Sequence, residues 1–130
     1  MIKLKEIVDA MEISVDEARW YYDSSKHEVL MAVEYVDEYA PLIDDIESKD
    51  EMISLPDRFE VDDYKMMRRF AVMHSEELLY TLEGKRVFRK FKDKVFDLGV
   101  EEAWYAFKDE WYKKVATEWC DRNNIEFEAY

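Results

Sequence analysis

The stretch that decides the fold lies in the second half of the chain, where it reads GKRVFRKFKD over residues 84–93, WYAF over residues 104–107 and EWC over residues 118–120. These segments set aromatic side chains at helical spacing beside the densest basic cluster in the sequence. The chain has only two glycines, Gly84 and Gly99, and each is suited to end a helix. The pattern therefore predicts one helix from about Arg86 to Leu98 and another from about Glu101 to Arg122.

The apolar side chains of the last predicted helix fall on one half of its circumference when it is projected at about 100° per residue. They are Val100, Trp104, Tyr105, Phe107, Trp111, Tyr112, Val115 and Trp119. The preceding helix carries a narrower stripe of Val87, Phe88, Phe91, Val95 and Leu98. We expect the two helices to pair through these faces. We also expect the tryptophans to fill a core rather than to stack on bases, because aromatic side chains dominate cores by area.

The first half of the chain predicts a small sheet. A short amphipathic helix is indicated within residues 1–12, aromatic and apolar runs predict strands over 18–23 and 28–33, and a third short strand is predicted over 52–55. Residues 34–51 fit either a helix or a loop, because Pro41 interrupts their helical pattern. The segment from about Val61 to Met73 reads as a helix, and Ser75 is suited to cap the next one.

These elements predict an α+β fold in which a small antiparallel sheet packs against a helical C-terminal half. A chain of 130 residues with 4 Trp, 9 Tyr and 7 Phe has enough apolar material for a core. We expect a single domain over residues 1–130, made of the 1–12 helix, the sheet and acidic connection of 18–55, and the helices of 61–122.

Cysteine and histidine are scarce, which limits the disulfides and metal sites that the chain can form. One Cys cannot form an internal disulfide, and one Cys with two His is too few for the usual zinc sites. The N-terminus has no apolar signal sequence, and no apolar run approaches the length of about 20 residues that a membrane span needs. We expect a cytosolic protein with no cofactor, no metal and no membrane association.

The charge of the chain is −13 and is unevenly distributed. Residues 1–60 hold 17 acidic and 6 basic side chains, a net charge of −11, whereas residues 61–130 hold 15 and 13, a net charge of −2. Such an excess repels phosphate backbones at long range and counts against simple nucleic-acid binding. The densest acidic run, residues 34–51, lacks the glycine that a calcium-binding loop requires.

The candidate binding residues are the cations of the predicted helix after Gly84, together with one aromatic side chain: Lys85, Arg86, Arg89, Lys90, Lys92, Lys94 and Phe96. The cations could form a phosphate or RNA surface. A solvated helix face is the stronger interpretation, because they cover the whole non-apolar side and lie among Asp93 and Asp97. Phe96 falls opposite the apolar stripe. It is suited to anchor a partner or to pack under a loop, and both interpretations stay open.

No catalytic set can be identified around the remaining reactive side chains. His74 projects among Met67, Phe70 and Tyr64, which favours a histidine at the edge of the core over a catalytic base. His27 lies in the predicted turn between the first two strands, where we expect it to be exposed. Cys120 falls off the apolar half of the last helix and has no identifiable base partner.

Several segments together resemble a bacterial uncharacterised protein family, UPF 0158, over nearly the whole chain: LKEIVDAM at 4–11, the hairpin at 21–29, LPD at 55–57, GKRVFRKFKD at 84–93, WYAF at 104–107 and ATEWC at 116–120. The resemblance implies a soluble, single-domain bacterial protein and carries no assigned activity. In that family the hairpin turn usually has Gly where His27 stands. Histidine tolerates a left-handed backbone better than most residues, so we expect the hairpin to form.

The leading functional hypothesis is a non-enzymatic interaction or regulatory protein of the cytosol that recognises a protein partner through its surface. Three alternatives stay open. The basic helix over 85–94 could bind nucleic acid, the acids of 34–51 could mimic nucleic acid and occupy a basic partner, and His74 with nearby acids could serve an enzyme. The sequence does not decide the oligomeric state.

Overall fold

The computed structural model describes residues 1–13, 18–34 and 40–129, and it divides the chain into two compact units. The sheet unit comprises the described residues of 1–57 and 113–130, and the helical unit comprises residues 58–112. The boundary between them falls inside the last helix. The expectation of a single domain stays a prediction.

The sheet unit is built around a three-stranded antiparallel sheet. Its elements are β1 (Ile2–Lys3), α1 (Leu4–Glu12), β2 (Ala18–Asp23), β3 (Glu28–Val33), α2 (Ile43–Glu47), β4 (Met52–Ser54) and, at the C-terminal end, β5 (Phe127–Glu128). The strand order is β3-β2-β4, and Ala18 pairs with Val33 at one end of the hairpin. The α+β prediction is confirmed, and both hairpin strands have their predicted bounds.

Both faces of β2 are covered, because neighbouring residues of a strand point to opposite sides of a sheet. On one face Tyr21 packs with Ile43 and Ile46 of α2. On the other face the ring of Tyr22 meets Trp119 edge-on, with 6.2 Å between the ring centroids. The indole Nε1 of Trp119 donates a 2.9 Å hydrogen bond to the carbonyl of Ser54 in β4. The sheet is thus held by one helix on each face.

The hairpin turn is organised by the buried carboxylate of Asp23. Its Oδ1 accepts hydrogen bonds from the hydroxyl of Ser25 at 2.6 Å and from the backbone N–H groups of Ser25 and Lys26 at 2.9 and 3.2 Å. These donors, the Ser25 hydroxyl above all, hold the pKa of Asp23 below its ordinary value. His27 closes the turn with a φ of 55° and is exposed, as predicted.

The helical unit contains α3 (Arg58–Val61), α4 (Asp63–His74), α5 (Glu76–Tyr80), α6 (Val87–Asp97) and the first part of α7 (Glu101–Arg122). The helix expected from about Val61 to Met73 is present as α4. Asp62 has a left-handed φ of 53°, separates α4 from the short α3, which was not predicted, and caps α4 by accepting from the N–H of Lys65. Ser75 caps α5, as predicted, by accepting from the N–H of Glu77. None of the helices in the described ranges has both the length and the apolarity needed to cross a bilayer.

The core of the helical unit is a cluster of aromatic rings. Phe70 of α4 lies 5.2 Å from Trp104 of α7 and 6.3 Å from Phe91 of α6, and the last two rings are 4.9 Å apart. Phe107 extends the cluster at 5.5 Å from Phe70. The pairing of α6 with α7 through their apolar faces is therefore confirmed.

Some side chains assigned to the apolar faces lie at the surface instead. Phe88 is 56% exposed and Tyr105 is 65% exposed. Both lie at the margins of their stripes, where no described neighbour covers them. Cys120 deviates in the opposite direction. It lies off the predicted apolar half of α7 and is nevertheless fully buried. The reason is that the C-terminal part of α7 belongs to the sheet unit, where neighbours cover a different side of the helix.

Replacing Phe70 by Ala should lower the free energy of unfolding by about 3–5 kcal/mol, because the substitution leaves a cavity among three other aromatic rings. Chemical denaturation followed by tryptophan fluorescence measures this change. The matched control is Phe59→Ala, since Phe59 is 86% exposed and its loss should cost less than about 0.5 kcal/mol. Equal losses in the two variants would contradict the assigned core.

Replacing Ser25 by Ala should raise the pKa of Asp23, because the strongest donor to its carboxylate is lost. A depressed native pKa stabilises the fold above the unfolded value of about 3.9, and this contribution disappears as the pH falls through the native pKa. The stability difference between the two proteins should thus be present at neutral pH and vanish in acid. Carboxyl NMR titration and denaturation at several pH values measure both effects. Ser24→Ala is the control, because the Ser24 hydroxyl donates to the Glu51 carbonyl instead; an equal pKa change there would refute the assignment.

Candidate binding surface and cavity

The basic cluster surrounds the start of α6. Gly84 has a φ of 78° and Arg86, the residue before the helix, has a φ of 58°, so the chain turns sharply as it enters α6. Glycine adopts this backbone without strain, whereas arginine does so at some cost. Lys85 and Arg86 are exposed on this turn. Their cations therefore lie at the N-terminal end of the helix.

The six predicted cations do not form one uniform surface. Lys85, Arg86, Arg89 and Lys92 are exposed, whereas Lys90 and Lys94 are half-buried. The ammonium of Lys90 donates a short hydrogen bond to the carbonyl of Glu83 and so ties α6 to the preceding turn. Lys90 therefore has a structural contact of its own.

The outer face of α6 carries a row of alternating aromatic and cationic side chains. Phe88, Lys92 and Phe96 are four residues apart, so they lie above one another on the same side of the helix. Phe88 is 56% exposed and Phe96 is 72% exposed. Phe96 packs under no described loop, which removes one of its two interpretations. We call these three residues, with Arg89 beside them, the α6 face.

A cavity of about 160 Å³ lies next to the α6 face, wholly inside the helical unit. Its apolar wall consists of buried side chains of α4, α6 and α7, namely Met66, Met67, Phe91 and Trp104. Phe88 and Lys92 of the α6 face also line it, together with three polar side chains, Asp63, Lys108 and Tyr112. Apolar walls with a few convergent polar groups are typical of small-molecule sites.

The polar side chains of the cavity are positioned by one another. The hydroxyl of Tyr112 donates to Oδ1 of Asp63 at 3.3 Å, and the ammonium of Lys108 lies 5.6 Å from the centroid of the Tyr112 ring. Lys108 and Tyr112 are four residues apart on α7, so they share one side of that helix. No motif in the sequence predicted this group. The spacing of Lys108 and Tyr112 places these two side chains on one side of α7. It does not show that α4 and α6 bring Asp63 and Lys92 next to them.

The histidines are not arranged for catalysis. His74 ends α4 at the surface, and its ring stacks on Phe70 with 4.0 Å between centroids and 24° between planes. It is more exposed than the core-edge position predicted for it, and it does not line the cavity of the helical unit. His27 places Nδ1 3.0 Å from the hydroxyl of Tyr22. Neither contact provides a nucleophile activated by a base.

The acidic connection between β3 and β4 is described only in part, because residues 35–39 lie outside the described ranges. In the remainder, Asp44 and Asp45 occupy the first turn of α2. Glu47 accepts from Arg19 at 2.9 Å and from the hydroxyl of Tyr21 at 3.1 Å, which ties α2 to β2. Within the described ranges, no group of three or more histidine, cysteine or acidic side chains is arranged to hold a metal ion.

The chain belongs to the Uncharacterised protein family (UPF0158), whose model matches residues 1–130. This match confirms the resemblance drawn from the segments at 4–11, 84–93 and 116–120. No curated protein and no solved structure matches the chain. The family is uncharacterised, so the surface and the cavity are the features of this chain that bear on its function.

Cys120 should react slowly with a thiol reagent in the native protein. Burial, reinforced by the neighbouring Asp121 carboxylate, raises the pKa of its thiol from 9.0 to about 11, so little thiolate forms at pH 8. Because the unfolded thiol ionises first, the buried thiol should also cost stability as the pH rises from about 9 to about 11. Absorbance from an aromatic disulfide reagent measures the reaction without background, since the chain has one Cys. Equal labelling rates in native and denatured protein would show that Cys120 is accessible.

Proposed function

We propose that this chain is a small non-enzymatic interaction protein of the cytosol and that it recognises a protein partner through the α6 face. The observation that carries the proposal is the exposure of Phe88 and Phe96 on either side of Lys92. At a rise of about 1.5 Å per residue, the two rings are about 12 Å apart along the helix. Exposed aromatic anchors at helical spacing are the typical determinants of a helix-mediated interface.

The distribution of exposed apolar side chains supports the same assignment. Of the eleven large hydrophobic side chains exposed in the described ranges, nine lie in the helical unit and two, Met1 and Ile13, lie in the sheet unit. Apolar residues that share one exposed surface, as Phe88 and Phe96 do along α6, are more informative than scattered ones and often mark an interaction site. The helical unit is therefore the better candidate for the binding part of the molecule.

The distribution of charged side chains indicates what kind of surface the partner presents. The helical unit holds 11 basic and 12 acidic residues, whereas residues 1–57 and 113–130 together hold 8 and 20. The acidic excess of the sheet unit keeps copies of the chain apart. Lys85, Arg86, Arg89 and Lys92 favour an acidic surface on the partner, which would speed encounter and fix its orientation.

Nucleic acid is the second candidate. The observation that favours it is that four cations are exposed together with two aromatic rings, which are the groups that contact phosphates and stack on bases. The net charge of −13 opposes it at long range. Nucleic-acid mimicry by residues 34–51 and an enzyme that uses His74 have no comparable support in the described geometry.

The protein-partner proposal predicts that Phe96→Ser lowers capture of the partner about tenfold or more, because truncating an aromatic anchor costs at least about 2 kcal/mol. The tagged protein is incubated with nuclease-treated extract of its native host at low and high salt, and bound proteins are quantified by mass spectrometry. Tyr105→Ser is the matched control, since Tyr105 is an equally exposed aromatic residue of the helical unit outside the α6 face. Thermal melts should show that both variants fold.

A second pair of variants tests the cations. Arg89→Glu with Lys92→Glu should abolish capture, and Lys65→Glu with Arg68→Glu, on exposed positions of α4, should leave it intact. Identical protein sets for the wild type and both α6 variants would contradict the proposal. Capture that occurs only in extract without nuclease treatment would assign the α6 face to nucleic acid instead.

A further inference from the structure

We propose that the cavity of the helical unit binds a small carboxylate anion that carries one aromatic ring. This inference does not rest on the proposed protein partner, although the cavity shares Phe88 and Lys92 with the α6 face. It rests on three properties of the cavity, which are its size, its apolar wall and its charge.

The size of the cavity fits one ring. An apolar cavity of about 150 Å³ is known to hold a benzene molecule, and this cavity measures about 160 Å³. The volume therefore selects a ligand whose apolar part has the size of a single phenyl group.

The wall is suited to an aromatic ring in particular. Phe91 and Trp104 are both buried, and their rings meet at 68° with 4.9 Å between centroids. A third ring placed against this pair gains edge-to-face contacts in addition to the burial of its apolar area. Met66 and Met67 complete the wall with flexible thioethers, which adapt to an inserted ring.

The charged lining selects a single negative charge. Lys92 and Lys108 contribute two positive charges, Asp63 contributes one negative charge, and the sum is +1. Asp63 already accepts from the hydroxyl of Tyr112, so the two ammonium groups are the donors suited to an incoming anion. A carboxylate balances this charge, whereas a phosphate dianion would leave the site with a net negative charge.

The test uses sodium benzoate at pH 7 and follows the indole N–H resonance of Trp104 and the backbone amides of Lys92 and Lys108 by NMR. We expect saturable shifts below about 10 mM, which is the affinity range of ligands this small. Benzyl alcohol, the neutral counterpart, should bind at least about tenfold more weakly, because its hydroxyl oxygen carries no negative charge to pair with the two ammonium groups. Benzylamine should not bind, because its charge has the sign of the lining.

Lys108→Gln should weaken benzoate binding about tenfold, while Lys65→Gln, an exposed lysine of α4 outside the cavity, should leave it unchanged. The inference is overturned if benzoate gives no saturable shift by about 10 mM, if the alcohol binds equally well, or if Lys108→Gln binds like the wild type. Lys108 lies on α7 and outside the α6 face, so this variant should capture the protein partner normally. Each of the two proposals can therefore be tested even if the other one fails.

Discussion

The packing of Phe70, Phe91 and Trp104 is the contact on which the helical unit depends. Each ring comes from a different helix, and the centroids lie between 4.9 and 6.3 Å apart. Because Phe91 and Val95 must point into this cluster, the 100° step of an α-helix turns Phe96 and Arg89 outward. The exposure of the α6 face is thus a geometric consequence of the core. Two of these rings, Phe91 and Trp104, also form part of the wall of the cavity, so the core and the cavity share side chains.

The sheet unit depends on fewer side chains to hold its elements together. Tyr21 and Tyr22 occupy successive positions of β2 and point to opposite faces of the sheet. Tyr21 packs against α2, and Tyr22 packs against α7. Trp119 makes both an apolar contact with Tyr22 and a hydrogen bond to Ser54, so one side chain fixes α7 to two strands. Aromatic residues with a polar atom are well suited to this, since the ring fills space while the N–H satisfies a backbone carbonyl. Apart from the buried Asp23, the described acidic side chains of the sheet unit are wholly or partly exposed, and solvation weakens the repulsion between them.

Much of the fold could be predicted from the sequence because its signals are local. Aromatic and apolar runs separated by polar turn residues predicted β2 and β3, and the two glycines predicted where α6 begins and ends and where α7 begins. The errors come from non-local causes. The left-handed turn at Asp62 leaves no composition signal, and the parallel pairing of Ile2 with Phe127 joins opposite ends of the chain through strands of two residues. The surface cations could be found from sequence, but the cavity could not, because Asp63, Lys92 and Lys108 are adjacent only after α4, α6 and α7 have packed.

The composition of the α6 face favours a protein over a nucleic acid as its partner. Lys90 is engaged with the carbonyl of Glu83, which leaves fewer cations free to contact a ligand. Asp93 and Asp97 follow Arg89 at intervals of four residues, so a row of one cation and two exposed carboxylates lies directly beside the aromatic row. A phosphate backbone would have to approach these carboxylates along its whole length and would be repelled by them. A protein surface can place an apolar pocket over each ring, an acid beside Lys92 and a base beside Asp93. Mixed charges around aromatic anchors therefore match a partner that can vary its chemistry from one residue to the next.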